Sequence, residues 1–289
     1  MRSSDPVSSE RPAVSAELTN PRADRVRSVA ALAGRSARRR TGRFLVEGPQ
    51  AVREAVVSAD VEVHDVYLTP RSAQRYPEIV AAAHERRLHL HLGDVEVLEA
   101  MSADAQHVVA VVEQRHLQLG PLLAARPRLV AVLAHVRDPG NAGTVVRVAD
   151  AAGADAVLLS TESVDVHNPK VVRSTAGSLF HLPVVDEVPL EVGVAALRDA
   201  GLTVLAADGR GDLDLDDLLD RTGSGTPDIA APTAWLFGNE AWGLGDGDLA
   251  LADAVVRVPL HGRAESLNLA TAAAVCLYAS ARAHRPVRG

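Results

Sequence analysis

The chain has 289 residues, of which 47% are hydrophobic, 23% charged and only 3% aromatic, with a formal net charge of −7. These proportions exclude a disordered, collagen-like or coiled-coil chain, and the length suits two domains. So few rings argue against single-strand nucleic-acid binding on rows of stacked aromatics. The lone cysteine, Cys276, excludes an intrachain disulfide framework and a cysteine-cluster zinc site. No apolar run nears the roughly 18 residues that cross a bilayer, and the first residues carry no apolar signal core. The expected compartment is the cytoplasm, with no membrane and no metal.

Residues 1–16, rich in Ser, Pro and charge, are expected to form a disordered tail. Residues 17–115 then alternate. Helices are predicted over 22–34, 49–59, 72–87 and 94–102, and strands over 61–69, 88–93 and 107–114. This is a small α/β domain. It opens on the sharpest charge feature of the chain. Residues 20–43 hold eight Arg and one acid, Asp24. A local excess of cations on an acidic protein is a candidate phosphate footprint, with Arg22, Arg25, Arg38, Arg39, Arg40 and Arg43 as the candidate phosphate contacts. A solvated helix face or a basic arm would look the same. Arg outnumbers Lys 29 to 1, which explains the choice of cation but not its clustering.

Residues 116–128, with Gly and Pro and no strand period, are the candidate linker. Beyond them, in 129–289, five apolar runs read as strands buried on both faces: 128–136, 155–160, 202–208, 233–239 and 254–260. Helical patterns over 141–152, 168–178, 191–200 and 265–284 separate them. The alternation predicts a doubly wound parallel sheet. The acidic, Gly/Pro-rich segment 209–232 reads as a surface loop with at most one helical turn.

Three polar clusters fall at strand C-termini, where open α/β sheets place ligands. In the first, Asp138-Pro139-Gly140 turns into a helix carrying Asn141 and Arg147, and Gly143 permits close backbone approach. Asn141 could be a helix cap only, and Arg147 a surface residue. In the second, Gly238 and Gly243 bracket a turn holding Asn239 and Glu240. In the third, Pro259 ends a strand, and Ser266-Leu267-Asn268 opens a long apolar helix, with Ser266 an ordinary cap candidate. No Ser/His/Asp triad and no paired carboxylates of convincing spacing occur.

In order, N-x-G-x-x-x-R, G-N-E-x-x-G-L and P-L-x-G-x-x-x-S-L-N resemble the SpoU-type RNA ribose 2′-O-methyltransferases of the SPOUT superfamily. Residues 20–56 resemble the start of that family's ribosomal-protein-like substrate-binding domain. The resemblance implies a C-terminal domain closed by a deep trefoil knot, an exception to the rule against threaded chains. It implies an S-adenosylmethionine pocket lined by Gly238, Asn239, Val258, Leu260 and Leu267. It also implies a homodimer with active sites near the interface. In this reading Arg147 is the cation that activates the ribose hydroxyl and grips the adjacent phosphate. Asn141, Glu240 and Asn268 orient it and the ribose, and Ser266 bonds in the same pocket. Leu260 stands where Met is common, and Leu269-Ala270 where Val-Ser or Val-Ala is frequent. The implied substrate is ribosomal RNA, with transfer RNA the alternative. The competing readings are a nucleotide-binding dehydrogenase, for which DPGNAGTVV is a poor fingerprint, and an inactive ribosome-associated RNA-binding protein.

Overall fold

A computed structural model of the protein describes residues 15–284, and the chain divides after Glu113 into two compact units. The first unit runs β1 (Ser15–Leu18), α1 (Asp24–Ala31), α2 (Arg35–Thr41), β2 (Arg43–Glu47), α3 (Pro49–Val57), β3 (Val63–Leu68), α4 (Pro70–Arg75), α5 (Pro77–Glu85), β4 (His89–Gly93), α6 (Val95–Met101) and β5 (Val108–Glu113). Its sheet has the order β1-β4-β3-β5-β2. Pairing is parallel from β1 to β3 and antiparallel from β3 to β2. On one face, Leu45, Tyr67, Val109 and Val111 pack against Val26 and Val29 of α1 and Val97 and Leu98 of α6.

Several expectations are corrected here. Residues 1–14 of the expected tail lie outside the described residues, but Ser15 and Ala16 belong to β1, paired with β4. The helix expected over 22–34 ends at Ala31, and Gly34, in extended backbone, starts α2. The helix expected over 72–87 is two helices. Pro77 has no N–H to continue the ladder, so it becomes the first residue of α5 and Tyr76 leaves the helical region. Strand β2 was missed because Phe44, Leu45 and Val46 are all buried, so no alternation marks it, and a run of arginines precedes it.

The second unit runs α7 (Leu119–Ala124), β6 (Leu129–Leu133), α8 (Pro139–Ala152), β7 (Ala156–Ser160), α9 (Pro169–Thr175), a 3-10 turn (Ser178–Phe180), β8 (Val184–Val188), α10 (Leu190–Asp199), β9 (Thr203–Ala207), β10 (Leu213–Asp214), α11 (Leu215–Asp220), β11 (Thr233–Phe237), α12 (Asp246–Leu249), β12 (Ala254–Arg257) and α13 (Leu269–Ala283). The expected parallel sheet is present. It has seven strands in the order β10-β12-β9-β11-β6-β7-β8, and all its pairings are parallel.

Both faces of this sheet are covered, which is why its inner strands read as unbroken apolar runs. Leu129, Ala131 and Leu133 of β6 join Trp235 and Phe237 of β11 in a core with α8 and α13. The intervening Val130, Val132, Ala234 and Leu236 join the opposite core with α10. Inside the first core the Trp235 Nε1–H donates to Ser280 Oγ at 2.8 Å, and both residues are fully buried. A buried indole N–H without a partner costs about 1–3 kcal/mol, so this bond fixes where α13 docks.

Strands β8 and β10 were not expected. Only Val184 and Val185 of β8 are buried before Asp186 and Glu187 interrupt the apolar signal. The expected linker contains α7. The expected loop over 209–232 contains β10 and α11, whose Leu215 and Leu218 are buried in the core. No helix of the described residues is long and apolar enough to cross a membrane.

Candidate active site

Because the strands are parallel, the C-terminal ends of β9, β11 and β12 share one edge of the sheet. There they enclose, with the start of α13, a cavity of about 520 Å³. Gly238, Asn239, Val258, Leu260 and Leu267 all line it, and so do Glu240, Ser266 and Asn268.

Gly238 serves this wall in an unexpected way. A Cβ there would lie 2.4 Å from the Gly243 carbonyl carbon. The glycine therefore lets the chain fold back on itself at the turn, and a side chain would wreck the turn before filling the cavity. The turn is closed by reciprocal backbone bonds between Asn239 and Gly243, at 3.0 and 2.9 Å. Asn239 is buried, its Oδ1 accepting from Ala241 N–H at 2.8 Å and its Nδ2 donating to His135 O at 2.6 Å. With both ends engaged, Asn239 shapes the wall and ties it to the chain just past β6.

At the start of α8 the cap is Asp138, whose Oδ1 accepts the Asn141 N–H at 2.7 Å. Asn141 is thus not the cap, and its side chain bonds elsewhere. Asn141 Nδ2 donates to Glu240 Oε1 at 3.4 Å, and Asn268 Nδ2 donates to Asn141 Oδ1 at 3.0 Å. The Glu240 carboxylate also faces the backbone N–H groups of Arg137 and Asp138, at 3.4 and 3.3 Å. A single polar relay, Asn268 to Asn141 to Glu240, therefore joins the starts of two helices to the turn after β11.

Asn268, not Ser266, caps α13. Its Oδ1 accepts from Ala270 and Thr271 N–H, and the helix begins at Leu269 rather than 265. That leaves the Ser266 hydroxyl on the cavity wall. Arg147 is exposed on α8, makes no hydrogen bond or ion pair among the described residues, and does not line the cavity. Gly143 does permit close approach, but to a helix. A Cβ there would lie 2.5 Å from the Val171 carbonyl oxygen of α9.

Three site residues escaped the sequence reading: Asp208, Arg210 and Glu265, the last on the cavity wall just before Ser266. Asp208, just past β9, lines the cavity. Partial burial opposes its ionisation, but hydrogen bonds from Arg210 outweigh this and hold its carboxyl below the usual range. The Arg210 guanidinium bonds Asp208 Oδ1 at 2.9 Å and Leu244 O at 2.5 Å, clamping the β9 end to the turn after β11. An aspartate at the C-terminal end of a buried parallel strand was the available signal.

The basic stretch of the first unit needs revision. Arg38 is only 2% exposed, and its Nη1 donates to Leu32 O and Ala33 O, at 2.9 and 2.8 Å. It satisfies carbonyls left open where α1 ends, so it is not a phosphate contact. The Arg25 guanidinium is held 3.2 Å from the His91 ring nitrogens, and Arg43 lies 3.7 Å from Glu113. Arg22, Arg39 and Arg40 are exposed. Among the described residues no group of three or more His, Cys, Asp and Glu is placed to hold a metal ion.

Residues 128–278 match the SpoU rRNA Methylase family, and residues 23–117 match the MRM3-like substrate binding domain. The chain is 33% identical to a 23S rRNA (uridine(2479)-2′-O)-methyltransferase of Streptomyces viridochromogenes, over 88% of this chain and 87% of the relative. It is 32% identical to the 23S rRNA (guanosine(2553)-2′-O)-methyltransferase RlmP of Bacillus subtilis, over 83% and 89% of the two chains. The crystal structure of an AdoMet-bound rRNA methyltransferase from Sinorhizobium meliloti superposes with a TM-score of 0.77 at 30% identity, covering 92% of this chain and 97% of that one.

Proposed function

Because the chain belongs to the SpoU rRNA methylase family, we propose that it transfers a methyl group from S-adenosylmethionine to a ribose 2′-hydroxyl of ribosomal RNA. The observation that carries this reading is the Asn268–Asn141–Glu240 relay at the edge of a cavity built from strand ends.

The cavity fits the cofactor in size and chemistry. Its volume lies within the range of sites for drug-sized ligands, roughly 300–1,000 Å³. Val258, Leu260 and Leu267 offer an apolar wall, and the Glu265 carboxylate offers negative charge to a cationic ligand, while the charge of Asp208 is met by Arg210. When bound, the cofactor supplies a methyl group already activated as a sulfonium. The protein must then align the ribose oxygen and help remove its proton. A guanidinium is a poor proton acceptor, so Arg147 is unsuited to act as a free base. As a cation it favours the developing alkoxide and holds the neighbouring phosphate. Its lack of a partner among the described residues leaves it free for both. The relay orients the ribose, and Ser266 adds a hydroxyl on the same wall.

The proposal extends to a trefoil knot around the cavity. Supporting it, β11 inserts between β6 and β9, and α13 packs against β11, β6 and α8. It extends also to a homodimer, supported by exposed apolar side chains at Leu260, Leu267, Val275 and Tyr278, and to a cytoplasmic ribosomal target. The large-subunit RNA is favoured over transfer RNA because the relatives above are named for it.

The test is transfer of tritiated methyl from S-adenosylmethionine to 23S and 16S ribosomal RNA and to transfer RNA. The modified nucleotide is then mapped by resistance to alkaline cleavage. Label in one alkali-resistant position of 23S RNA is the expected result. Label only in transfer RNA would replace the substrate, and no cofactor binding by calorimetry would end the reading.

A further inference from the structure

A second cavity, of about 620 Å³, lies wholly within the first unit. It opens where β3 and β4 end and where the chain enters β5. Its position is set by a buried cap. The Thr69 hydroxyl accepts the Ser72 N–H at 3.1 Å and donates to Ser72 Oγ at 3.0 Å, and both residues are buried. From this fixed start α4 presents Arg71 and Arg75 to the cavity, both exposed. Neither makes a hydrogen bond or ion pair with its side chain among the described residues. The Arg75 guanidinium instead lies 5.4 Å from the centroid of the Tyr76 ring.

The facing wall has an unusual backbone. Gln106 and His107 border the cavity at φ of +51° and +59°. Successive non-glycine residues seldom adopt that conformation. The exposed Val95 adds an apolar surface, and the Asp94 carboxylate stands beside it as an acceptor.

These are the groups by which proteins hold an unstacked nucleotide: cations for phosphate, ring and guanidinium planes for the base, and amide and carboxylate groups for its edge. We propose that this cavity takes one unpaired nucleotide of an RNA strand. Its phosphate sits on Arg71 and Arg75, and its base lies against Tyr76. The proposal rests on the RNA-substrate reading above. It also moves the centre of RNA contact from residues 20–43, where Arg38 is buried and Arg25 and Arg43 are engaged, to the concave face beside α4.

The probe is fluorescein-labelled heptauridylate, titrated onto the full chain by anisotropy over a range of salt, without S-adenosylmethionine. Melting temperatures are recorded for every variant. Arg71→Gln/Arg75→Gln should weaken binding about tenfold or more. It should lower the log–log salt slope by about 0.7 per lost contact. Tyr76→Leu should weaken binding about fivefold or more with the slope unchanged, and Tyr76→Phe should match wild type. Wild-type affinity in a folded Arg71→Gln/Arg75→Gln or Tyr76→Leu protein overturns the proposal. An equal loss toward a short RNA duplex also overturns it, because the site would then be a general phosphate patch. So does uridine monophosphate binding as tightly as the heptamer, which would mark a free-nucleotide site. Failure of the methyltransferase reading is separate: the wild type would bind the heptamer and transfer no methyl to ribosomal RNA.

Discussion

Asn268 does two things at once, and Asn268→Asp separates them. Its Oδ1 caps α13 by accepting from Ala270 and Thr271 N–H, at 2.9 and 3.4 Å. Its Nδ2 donates to Asn141 Oδ1 at 3.0 Å. Aspartate caps helices as well as asparagine does, and its charge gains about 0.3–1 kcal/mol from the helix dipole. The new carboxylate has no proton to donate, so the Asn141 amide must turn its NH2 toward it. That aims Asn141 Oδ1 at the Glu240 carboxylate, to which Asn141 Nδ2 otherwise donates at 3.4 Å. One amide cannot donate in both directions, and the relay breaks at Glu240. Two exposed hydrogen bonds are disturbed, each worth about 0.5 kcal/mol at the low end of the usual range. The dipole gain offsets most of this. The net change is about 0–1 kcal/mol, and the melting temperature should move by less than about 4 °C. Activity should respond far more. A displacement of order 1 Å among positioning groups costs about 10²-fold. The assay is single-turnover methyl transfer to 23S ribosomal RNA, with cofactor affinity by calorimetry and melting temperature on the same samples. Asn268→Ala serves as the contrast, because it also loses the cap, at about 1 kcal/mol. If Asn268→Asp transfers methyl within about tenfold of wild type, well short of the loss reasoned above, the relay does not position the substrate.

Arg147→Ala should melt like wild type, since the side chain is exposed with no partner among the described residues. Its single-turnover rate should fall about 10²–10³-fold, with Arg147→Lys rescuing little. Arg38→Ala should lower stability by about 1–3 kcal/mol, because the Leu32 and Ala33 carbonyls lose their donor. Arg40→Ala should leave denaturant midpoints unchanged, because the side chain is exposed, and should lower the RNA salt slope by about 0.7 as one phosphate contact is lost. Asp65 gives the first unit a pH dependence. Burial raises its pKa, but the hydrogen bond and charge of His91 outweigh this and hold it below the ordinary 3.8. A depressed carboxyl contributes stability that is complete above the ordinary value and lost as pH falls through the folded one. Urea midpoints of wild type and Asp65→Asn should therefore converge on acidification below about pH 4. Midpoints separated by the same amount at pH 7 and pH 3 would refute that assignment.

Much of the architecture was legible because burial on both faces leaves a local trace. Strands β6, β7, β9, β11 and β12 read as apolar runs, since every residue of β6, β7 and β11 is buried. Edge and short elements left none. Charged Asp186 and Glu187 sit within β8 at the sheet edge, and β10 is only two residues long. Residue types at strand ends were equally legible, so Gly238, Glu240 and Asn268 could be named from spacing and resemblance. What each does could not. Whether Asn141 or Asp138 caps α8 turns on which side-chain oxygen accepts an N–H of the helix's first turn, and in the structure it is Asp138, which takes the N–H of residue 141. That choice frees Asn141 to bond residues 99 and 127 positions away in the chain. Charge misled for a similar reason. Eight arginines in 24 residues look alike in composition, yet packing turns Arg38 inward onto carbonyls and leaves Arg40 outside. Periodicity and residue type act over a few positions and survive in the sequence. Hydrogen-bond partners and concavity depend on distances between remote segments, and only the folded chain decides them.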